Sequence, residues 1–173
     1  MQKNKNIDVK NLTRLALVAA AYVALTLVSS ALGLGYGPVQ FRVSEVLVLL
    51  CFYRKDYAPA LIVGCLIANL FSPFGLYDII FGTLATAVAV LPMYYMKNIY
   101  IASLLPIISN GVIVGIELFL CGEPLWISIG GVALGEIVSV GILGCLIFRN
   151  LFERFPMMMK IIGSTRGDPK KAV

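Results

Sequence analysis

The chain has 173 residues, of which 60% are hydrophobic and only 13% are charged, and its mean hydropathy is +0.92. A soluble domain of this length cannot cover its surface with so few charges. The composition therefore predicts one integral membrane domain over residues 1–173, too short to contain a nucleotide-binding domain as well.

Apolar stretches recur at regular spacing and predict six transmembrane helices. The first, fourth, fifth and sixth are long enough to cross a hydrocarbon core of about 30 Å at about 1.5 Å per residue. The second and third are short, and the alternative for them is a re-entrant hairpin with its tip at 54–56. Burying three charges near the midplane is costly, so two short spans are favoured. The stretches are Leu12–Leu32, Pro38–Tyr53, Tyr57–Leu70, Tyr77–Met96, Ile99–Leu120 and Leu125–Phe148.

The basic residues predict the orientation. With six spans, every Lys and Arg except Arg42 falls on one side, in the N-terminal tail 1–11 and the start of the first helix, two short turns, and the C-terminal end including the tail 151–173. The positive-inside rule makes this side the cytoplasm, so both termini are expected there. The net charge of +5 then reflects topology and contacts with lipid, and no nucleic-acid partner is expected.

Several chemistries are disfavoured by absent residues. The chain has no His and no phosphate-binding G-x-x-x-x-G-K-[ST] loop, and its four Cys are scattered without a C-x-x-C pair. The common catalytic pairs and metal sites are therefore missing, and neither enzyme activity nor a bound cofactor or metal is expected.

Seven polar residues stand within or at the ends of the apolar stretches. Ionisable groups in a membrane are expensive and are functional candidates by default. Placed on six spans, these residues converge on the outer half, whereas the inner half is nearly pure apolar. This distribution predicts a pocket that opens outward, and the alternative is that the residues pair with one another to hold helices together. They are Arg42, Glu45, Asn69, Asp78, Asn110, Glu117 and Glu136.

The charge balance of this set constrains its ligand. One arginine faces four carboxylic acids, which would repel one another strongly in a low dielectric if all were ionised. Some must be protonated, or a cation must join them. A cationic or donor-rich ligand is therefore favoured over an anionic one.

The loop between the first two helices, 33–38, carries three alternating glycines that allow tight bending and a close approach of the backbone to a ligand. Tyr36 and Phe41 could stack on a flat ring there, as could Tyr77 and Trp126 in the other outer loops. The alternative for each aromatic is an interfacial belt residue.

Small residues repeat every four positions along three helices. Ala16, Ala20 and Ala24 form such a stripe on the first helix, and glycine pairs do so on the fifth and sixth. Small side chains let helix backbones approach closely, either within the chain or against another membrane subunit.

Three segments carry a family resemblance: 37–45 (GPVQFRVSE), 68–71 (ANLF) with 78–86 (DIIFGTLAT), and Gly135-Glu136. With the alanine stripe, the six helices and the size, they resemble the queuosine-precursor transporter family of substrate-binding (S) components of energy-coupling factor transporters. The resemblance covers about residues 12 to 150.

The resemblance implies an S-component-like bundle of six helices in the bacterial plasma membrane that binds a 7-deazaguanine base, either the aminomethyl precursor of queuosine or queuine, from outside. It also implies association with a transmembrane coupling subunit and two cytoplasmic ATPases. A guanine-like edge offers adjacent N–H donors to a carboxylate, and an aminomethyl cation would relieve the carboxylate excess. Alternatives are an S component for another vitamin, such as a flavin or biotin, an interaction or assembly protein without a ligand, and a membrane enzyme.

Overall fold

The computed structural model describes residues 9–152 and 154–165, and this part of the chain is helical without a β-strand. Six principal helices run back and forth, and a short seventh follows them. Residues 1–8, 153 and 166–173, and with them Lys3 and Lys171, lie outside the described residues. The helices are α1 Val9–Ala31, α2 Val43–Tyr53, α3 Tyr57–Asn69, α4 Asp78–Met93, α5 Ile99–Leu120, α6 Leu125–Asn150 and α7 Pro156–Ile162.

Three of these helices, α1, α5 and α6, are long and apolar enough to cross a membrane, whereas α2, α3 and α4 are shorter apolar helices. The expectation of full spanning length for the fourth stretch was wrong, because α4 ends at Met93 and a turn follows. Large apolar side chains such as Ile108 and Leu134 are about three-fifths exposed around the bundle. Such a surface suits contact with lipid.

The bundle has two chemically different ends. The basic end comprises the turns 54–56 and 94–98 together with α7, and the loop end comprises the loops 32–42, 70–77 and 121–124. The main apolar core lies toward the basic end, where Tyr53 stacks on Phe148 with 5.6 Å between ring centroids. The polar residues within the bundle gather toward the loop end.

The turn at 54–56 lies at the basic end, beside the start of α1 and the end of α7. Arg54 donates a hydrogen bond to the Gly163 carbonyl at 3.4 Å, and Gly163 also borders the Arg14 guanidinium. α7 was not expected from the sequence, which predicted only a tail here. It is held in place because the Tyr57 hydroxyl donates to the Ile162 carbonyl at 2.6 Å and the Thr165 amide donates to the Tyr53 carbonyl at 3.1 Å.

The second helix begins later than predicted. Residues 38–42 are not helical, Arg42 has extended backbone angles, and α2 opens at Val43 as a 3₁₀ helix. The preceding loop reverses at Gly33 and Gly37, which both have positive φ angles of 75° and 109° that L side chains rarely adopt. The expectation of a helix from Pro38 was wrong, because this segment crosses α6 as a strap.

Glycines of α6 receive the strap. A side chain at Gly135 would collide with the Gln40 carbonyl, and one at Gly131 would collide with the Pro38 carbonyl. The glycines of α5 serve a different contact, since a Cβ at Gly111 would lie 3.1 Å from the Ala133 Cβ on α6. The predicted glycine faces of α5 and α6 therefore make close contacts. Gly111 of α5 packs against α6, whereas Gly131 and Gly135 of α6 pack against the strap.

Candidate ligand-binding site

The buried charged and amide side chains form one cluster near the loop end, and this cluster unites all seven polar residues singled out from the sequence. Each of them is at most 7% exposed. They come from five places, the end of the strap, α2, the α3–α4 junction, α5 and α6, so only the tertiary fold brings them together. Two local arrangements make up the cluster, one around Asp78 and one around Glu45.

Arg42 is the cation of the Asp78 arrangement. Its Nη2 lies 3.7 Å from Asp78 Oδ1, and its Nε donates to the Gly35 carbonyl at 2.8 Å. The guanidinium also stacks over the Tyr36 ring at 4.9 Å from the centroid. Arg42 thereby ties the glycine loop to α4 and orients the Asp78 carboxylate.

Tyr36 connects this loop to α3. Its hydroxyl donates to the Ala68 carbonyl at 3.0 Å. Burial raises the pKa of the Tyr36 phenol above its ordinary value, so the phenol stays protonated and remains a donor. Tyr36 is half-buried and covers Arg42, which is the position expected of a residue closing the site.

Asp78 stands at the start of α4, where the helix opens with a π-helical turn over Asp78–Gly82. Such turns are common at functional sites because they redirect side chains. Ser72 donates a hydrogen bond to Asp78 Oδ2, and Asn69 Nδ2 donates to the Asp78 carbonyl at 2.9 Å. Gly82 permits this approach, since a Cβ there would lie 2.7 Å from Asn69 Nδ2.

Glu117 on α5 completes the Asp78 arrangement. It is fully buried and its carboxyl interacts with that of Asp78. Neither of its oxygens has a hydrogen-bond partner among the described residues. Two neighbouring carboxyl groups need a proton or an external donor between them, so this pair is poised to accept hydrogen bonds.

Glu45 is the centre of the second arrangement. The Tyr22 hydroxyl of α1 donates a hydrogen bond to Glu45 Oε1, and both side chains are almost fully buried. One turn further along α1, Thr26 Oγ1 donates at 2.7 Å to the Oγ of Ser44, the residue before Glu45. These bonds attach α1 to α2 and fix the orientation of the Glu45 carboxyl.

Asn110 and Glu136 extend the second arrangement across α5 and α6. Asn110 Nδ2 donates to Glu136 Oε1 at 2.6 Å, and the same amide interacts with Glu45. A π-helical stretch of α6 begins at Ile137, directly after Glu136. Asn110 therefore lies between two carboxyl groups contributed by α2 and α6.

Acceptor atoms without a hydrogen-bond partner outnumber such donor atoms among the described side chains of the cluster. Among the described residues, eight buried side-chain atoms of the cluster lack a hydrogen-bond partner, six of them oxygen acceptors and two nitrogen donors, and two of the eight, Asp78 Oδ1 and Arg42 Nη2, face each other in the 3.7 Å ion pair. Buried polar groups are normally satisfied by protein or by ordered water, so this concentration makes the cluster the candidate ligand-binding site. The acceptors are Glu45 Oε2, Asn69 Oδ1, Asp78 Oδ1, Glu117 Oε1 and Oε2, and Glu136 Oε2; the donors are Gln40 Nε2 and Arg42 Nη2.

The other aromatic candidates lie differently. Phe41 is half-buried at the end of the strap, and its amide donates to the Leu34 carbonyl at 2.7 Å. Trp126, at the start of α6, is 81% exposed and lies outside the buried cluster. Its position fits the belt alternative, whereas Tyr36 and Phe41 are half-buried in the loop and strap before α2.

Two residues of the cluster were missed by the sequence analysis. Tyr22 lies in the middle of the first apolar stretch, and Gln40 lies in the family segment without a charge to draw attention. The signal for Tyr22 was its spacing, because Tyr22, Thr26 and Ser29 form a polar stripe at helical periodicity and all are buried. Gln40 lies in segment 37–45, which carries the family resemblance, and this was the signal that could have identified it.

The alanine stripe of α1 faces away from the bundle. Ala16, Ala20 and Ala24 are all exposed, and the inward face is instead the polar stripe beginning at Tyr22. α3 packs on that inward side, where a Cβ at Gly64 would lie 3.1 Å from the Ala19 carbonyl. The stripe therefore does not pack inside the bundle, and its contact with another membrane subunit stays a prediction.

The described residues contain no group of three His, Cys, Asp or Glu side chains placed to hold a metal ion. The chemistry that the described side chains of the cluster offer is hydrogen bonding and charge pairing. No side chain in it forms a pair of nucleophile and general base of the usual kinds.

Two comparisons relate the chain to known transporters. The sequence model of the QueT transporter family matches residues 12–153. A queuosine precursor transporter from Lactococcus lactis subsp. cremoris (strain MG1363) is 43% identical over 88 residues, which is 51% of this chain and 50% of that protein. The match thus spans about half the length of this relative. No solved structure matches the chain.

Proposed function

We propose, from the premise that this chain belongs to the QueT transporter family, that it is the membrane subunit that captures a 7-deazaguanine precursor of queuosine. The family consists of transporters, not enzymes. The observation that carries the proposal is the excess of unpartnered acceptors in the buried cluster, because a 7-deazaguanine is a flat base rich in N–H donors.

The complementarity extends to the separate groups of the base. Adjacent N–H donors on its guanine-like edge match a carboxyl that accepts two hydrogen bonds. An aminomethyl substituent is a cation near neutral pH and would offset the carboxyl excess. The exocyclic oxygen would accept from the two unpartnered donors, Gln40 Nε2 and Arg42 Nη2. Biotin brings a carboxylate, and the flavin ring has one N–H donor beside several acceptors, so both fit an acceptor-rich, acidic cluster less well.

The loop end is the outer end in this proposal. Arg14, Arg54, Lys55 and Lys97 lie at or near the basic end, opposite the cluster. The positive-inside rule assigns that end to the cytoplasm. The ligand then enters from outside, between the strap and the loops before α4 and α6, and Tyr36 and Phe41 cover it.

Import requires an energy source that the chain does not carry. We place it with a transmembrane coupling subunit and two cytoplasmic ATPases, as in energy-coupling factor transporters. The exposed stripe of Ala16, Ala20 and Ala24 supports such a partner, because small side chains allow a second helix to approach α1 closely.

The test is ligand identification on the purified protein. Small molecules that co-purify in detergent are extracted and identified by mass spectrometry, and thermal unfolding is then measured with 7-aminomethyl-7-deazaguanine, queuine, guanine, riboflavin and biotin. A specific ligand raises the unfolding temperature according to RT ln(1 + [L]/Kd). We expect a shift with a deazaguanine and none with the two vitamins.

Stabilisation by riboflavin or biotin alone would reassign the cargo to another vitamin. Absence of any shift, together with absence of a co-purifying base, would favour an assembly protein whose polar cluster only holds helices. Recovery of a chemically altered base would contradict a transport role.

A further inference from the structure

The basic end carries a second candidate site, formed by two adjoining cavities. One is an apolar groove of about 850 Å³ between α1, α3 and α7, bordered by side chains such as Leu17, Tyr57 and Ile161. The other is a polar pocket of about 440 Å³ between the 54–56 turn and the end of α7. Arg14 and Lys160 line both cavities, so the groove and the pocket adjoin at these two cationic side chains.

The polar pocket is strongly basic. Among the described residues that line it, four side chains are cationic and one, Asp56, is a carboxylate. That carboxylate is already occupied, because Arg54 Nη2 lies 2.6 Å and Nε 2.9 Å from Asp56 Oδ2. Within the described residues the recorded ion pairs include neither Arg14 nor Lys160. The pocket therefore has positive charge to offer to an anion.

Two of the cationic side chains, Arg14 and Arg54, approach each other at Gly163, where α7 ends. Gly163 ends α7 with a positive φ of 62°, and the space where its Cβ would stand is bordered by the guanidinium groups of Arg14 and Arg54, the latter with Nη1 at 2.9 Å. Arg54 is already paired with Asp56, whereas no ion pair of Arg14 is found among the described residues, so an anion bound here would pair with Arg14. Ser164 and Thr165 add hydroxyl groups to the same pocket. A phosphate, with several acceptor oxygens and negative charge, matches this donor set.

The apolar groove indicates which class of phosphate-containing molecule would bind here. It follows α1 from Lys10 to Leu17, a distance of about 10 Å along a helix at about 1.5 Å per residue. Its rim is apolar and accessible, with Leu17 66% and Met157 74% exposed. A free phosphate or a nucleotide would leave this surface uncovered, whereas an acyl chain would cover it.

We propose that these cavities bind one anionic phospholipid of the membrane leaflet at the basic end, with its phosphate among Arg14, Arg54 and Lys160 and an acyl chain in the groove. The charge complementarity and the continuity of the basic pocket with an apolar groove carry the assignment. The site lies opposite the polar cluster and does not depend on which ligand the cluster binds. It would fasten α7 to α1 and α3 through the lipid.

The test uses the purified full chain and native mass spectrometry with phosphatidylglycerol or phosphatidylcholine titrated into the detergent. We expect one phosphatidylglycerol to be retained preferentially. The double variant Arg14→Gln/Lys160→Gln should bind it roughly thirtyfold more weakly, since each basic residue contributes about fivefold. Lys97→Gln, a control that removes a cation at the same end but outside this pocket, should bind it like the parent.

Folding and competing occupants are checked alongside. Each single variant is also measured for binding at the loop-end cluster, which reports a folded chain independently of lipid. Equal retention of both lipids by the parent, or equal loss in Lys97→Gln, would overturn the proposal. So would full competition by inorganic phosphate, which would indicate an anion site without an acyl chain, or displacement of the lipid by a partner subunit that covers the groove.

Discussion

The backbone carbonyl of Gln40 lies against the α-carbon of Gly135, in the space that any side chain at position 135 would occupy. This contact seats the strap between α1 and α2 on α6. It also places Gln40 and Arg42 in the cluster that contains Glu136, one residue after the glycine. The position of the strap and the composition of the site are thus coupled through one glycine.

Gly135→Ala should therefore displace the strap. Over-packing of a tight contact costs about 1–3 kcal/mol, and here the obstacle is backbone that cannot rotate away. We expect a lower unfolding temperature in detergent and loss of most ligand affinity. Gly130→Ala is the matched control, because a Cβ there meets nothing within 4 Å. Equal behaviour of the two variants would mean that the strap does not rest on α6.

Glu45→Gln and Asp78→Asn should weaken binding of a deazaguanine without changing side-chain volume much. A hydrogen bond to a charged group is worth about 1.5–3 kcal/mol, which corresponds to roughly tenfold to a hundredfold in affinity. Isothermal titration calorimetry on the purified variants measures the change. Glu123→Gln, in the loop before α6, removes a carboxyl outside the cluster and should bind like the parent. Parent-like affinity in both cluster variants would make their carboxyls purely structural.

Tyr22→Phe should show that α1 contributes to the site. The substitution deletes the donor to Glu45 and leaves a buried carboxyl oxygen without its partner, at a cost of about 1–3 kcal/mol. We expect a lower unfolding temperature and an altered affinity for the base. Tyr95→Phe removes a hydroxyl from a side chain that is 73% exposed and should change neither. If the two variants match, the Tyr22–Glu45 bond contributes little.

Ala20→Leu and Ala24→Leu should leave ligand binding nearly intact and stop uptake by cells. Both alanines are exposed, so a larger side chain has room in the isolated chain but would block a close-packed partner helix. Calorimetry and uptake of a labelled base are measured on the same variants. Ala21→Leu changes an exposed alanine beside the stripe and should retain uptake. Loss of binding along with uptake would contradict a docking role.

Cysteine labelling checks the orientation of the bundle. Lys55→Cys and Lys97→Cys, each in a cysteine-free background, should resist an impermeant reagent applied to intact cells, because positive residues are retained in the cytoplasm. Glu123→Cys, at the loop end, should be labelled. Lys3→Cys and Lys171→Cys extend the test to the tails and should be protected as well. Strong labelling at position 55 or 97 would contradict the six-span topology.

Much of this protein was determined by the sequence alone, because its signals are local. Hydropathy located all six principal helices, and the predicted Ile99–Leu120 helix agrees with the structure at both ends. The same signals singled out the seven buried polar residues, since a charge in an apolar stretch is conspicuous wherever the chain folds. The ends of helices were less reliable. Pro38–Arg42 carries an apolar pattern, yet it forms the strap.

The tertiary structure decided the relationships between distant segments. Tyr22 joins the cluster only because α1 packs beside α2, and the unequal number of unpartnered acceptors and donors emerges only when hydrogen bonds between helices are assigned. The spacing of the alanines did not show whether their stripe faces into the bundle or away from it. A repeat of small residues suits both kinds of contact. Periodicity determines which residues share a face. Which neighbour that face meets depends on contacts far apart in the chain, and these set the chemistry of the site.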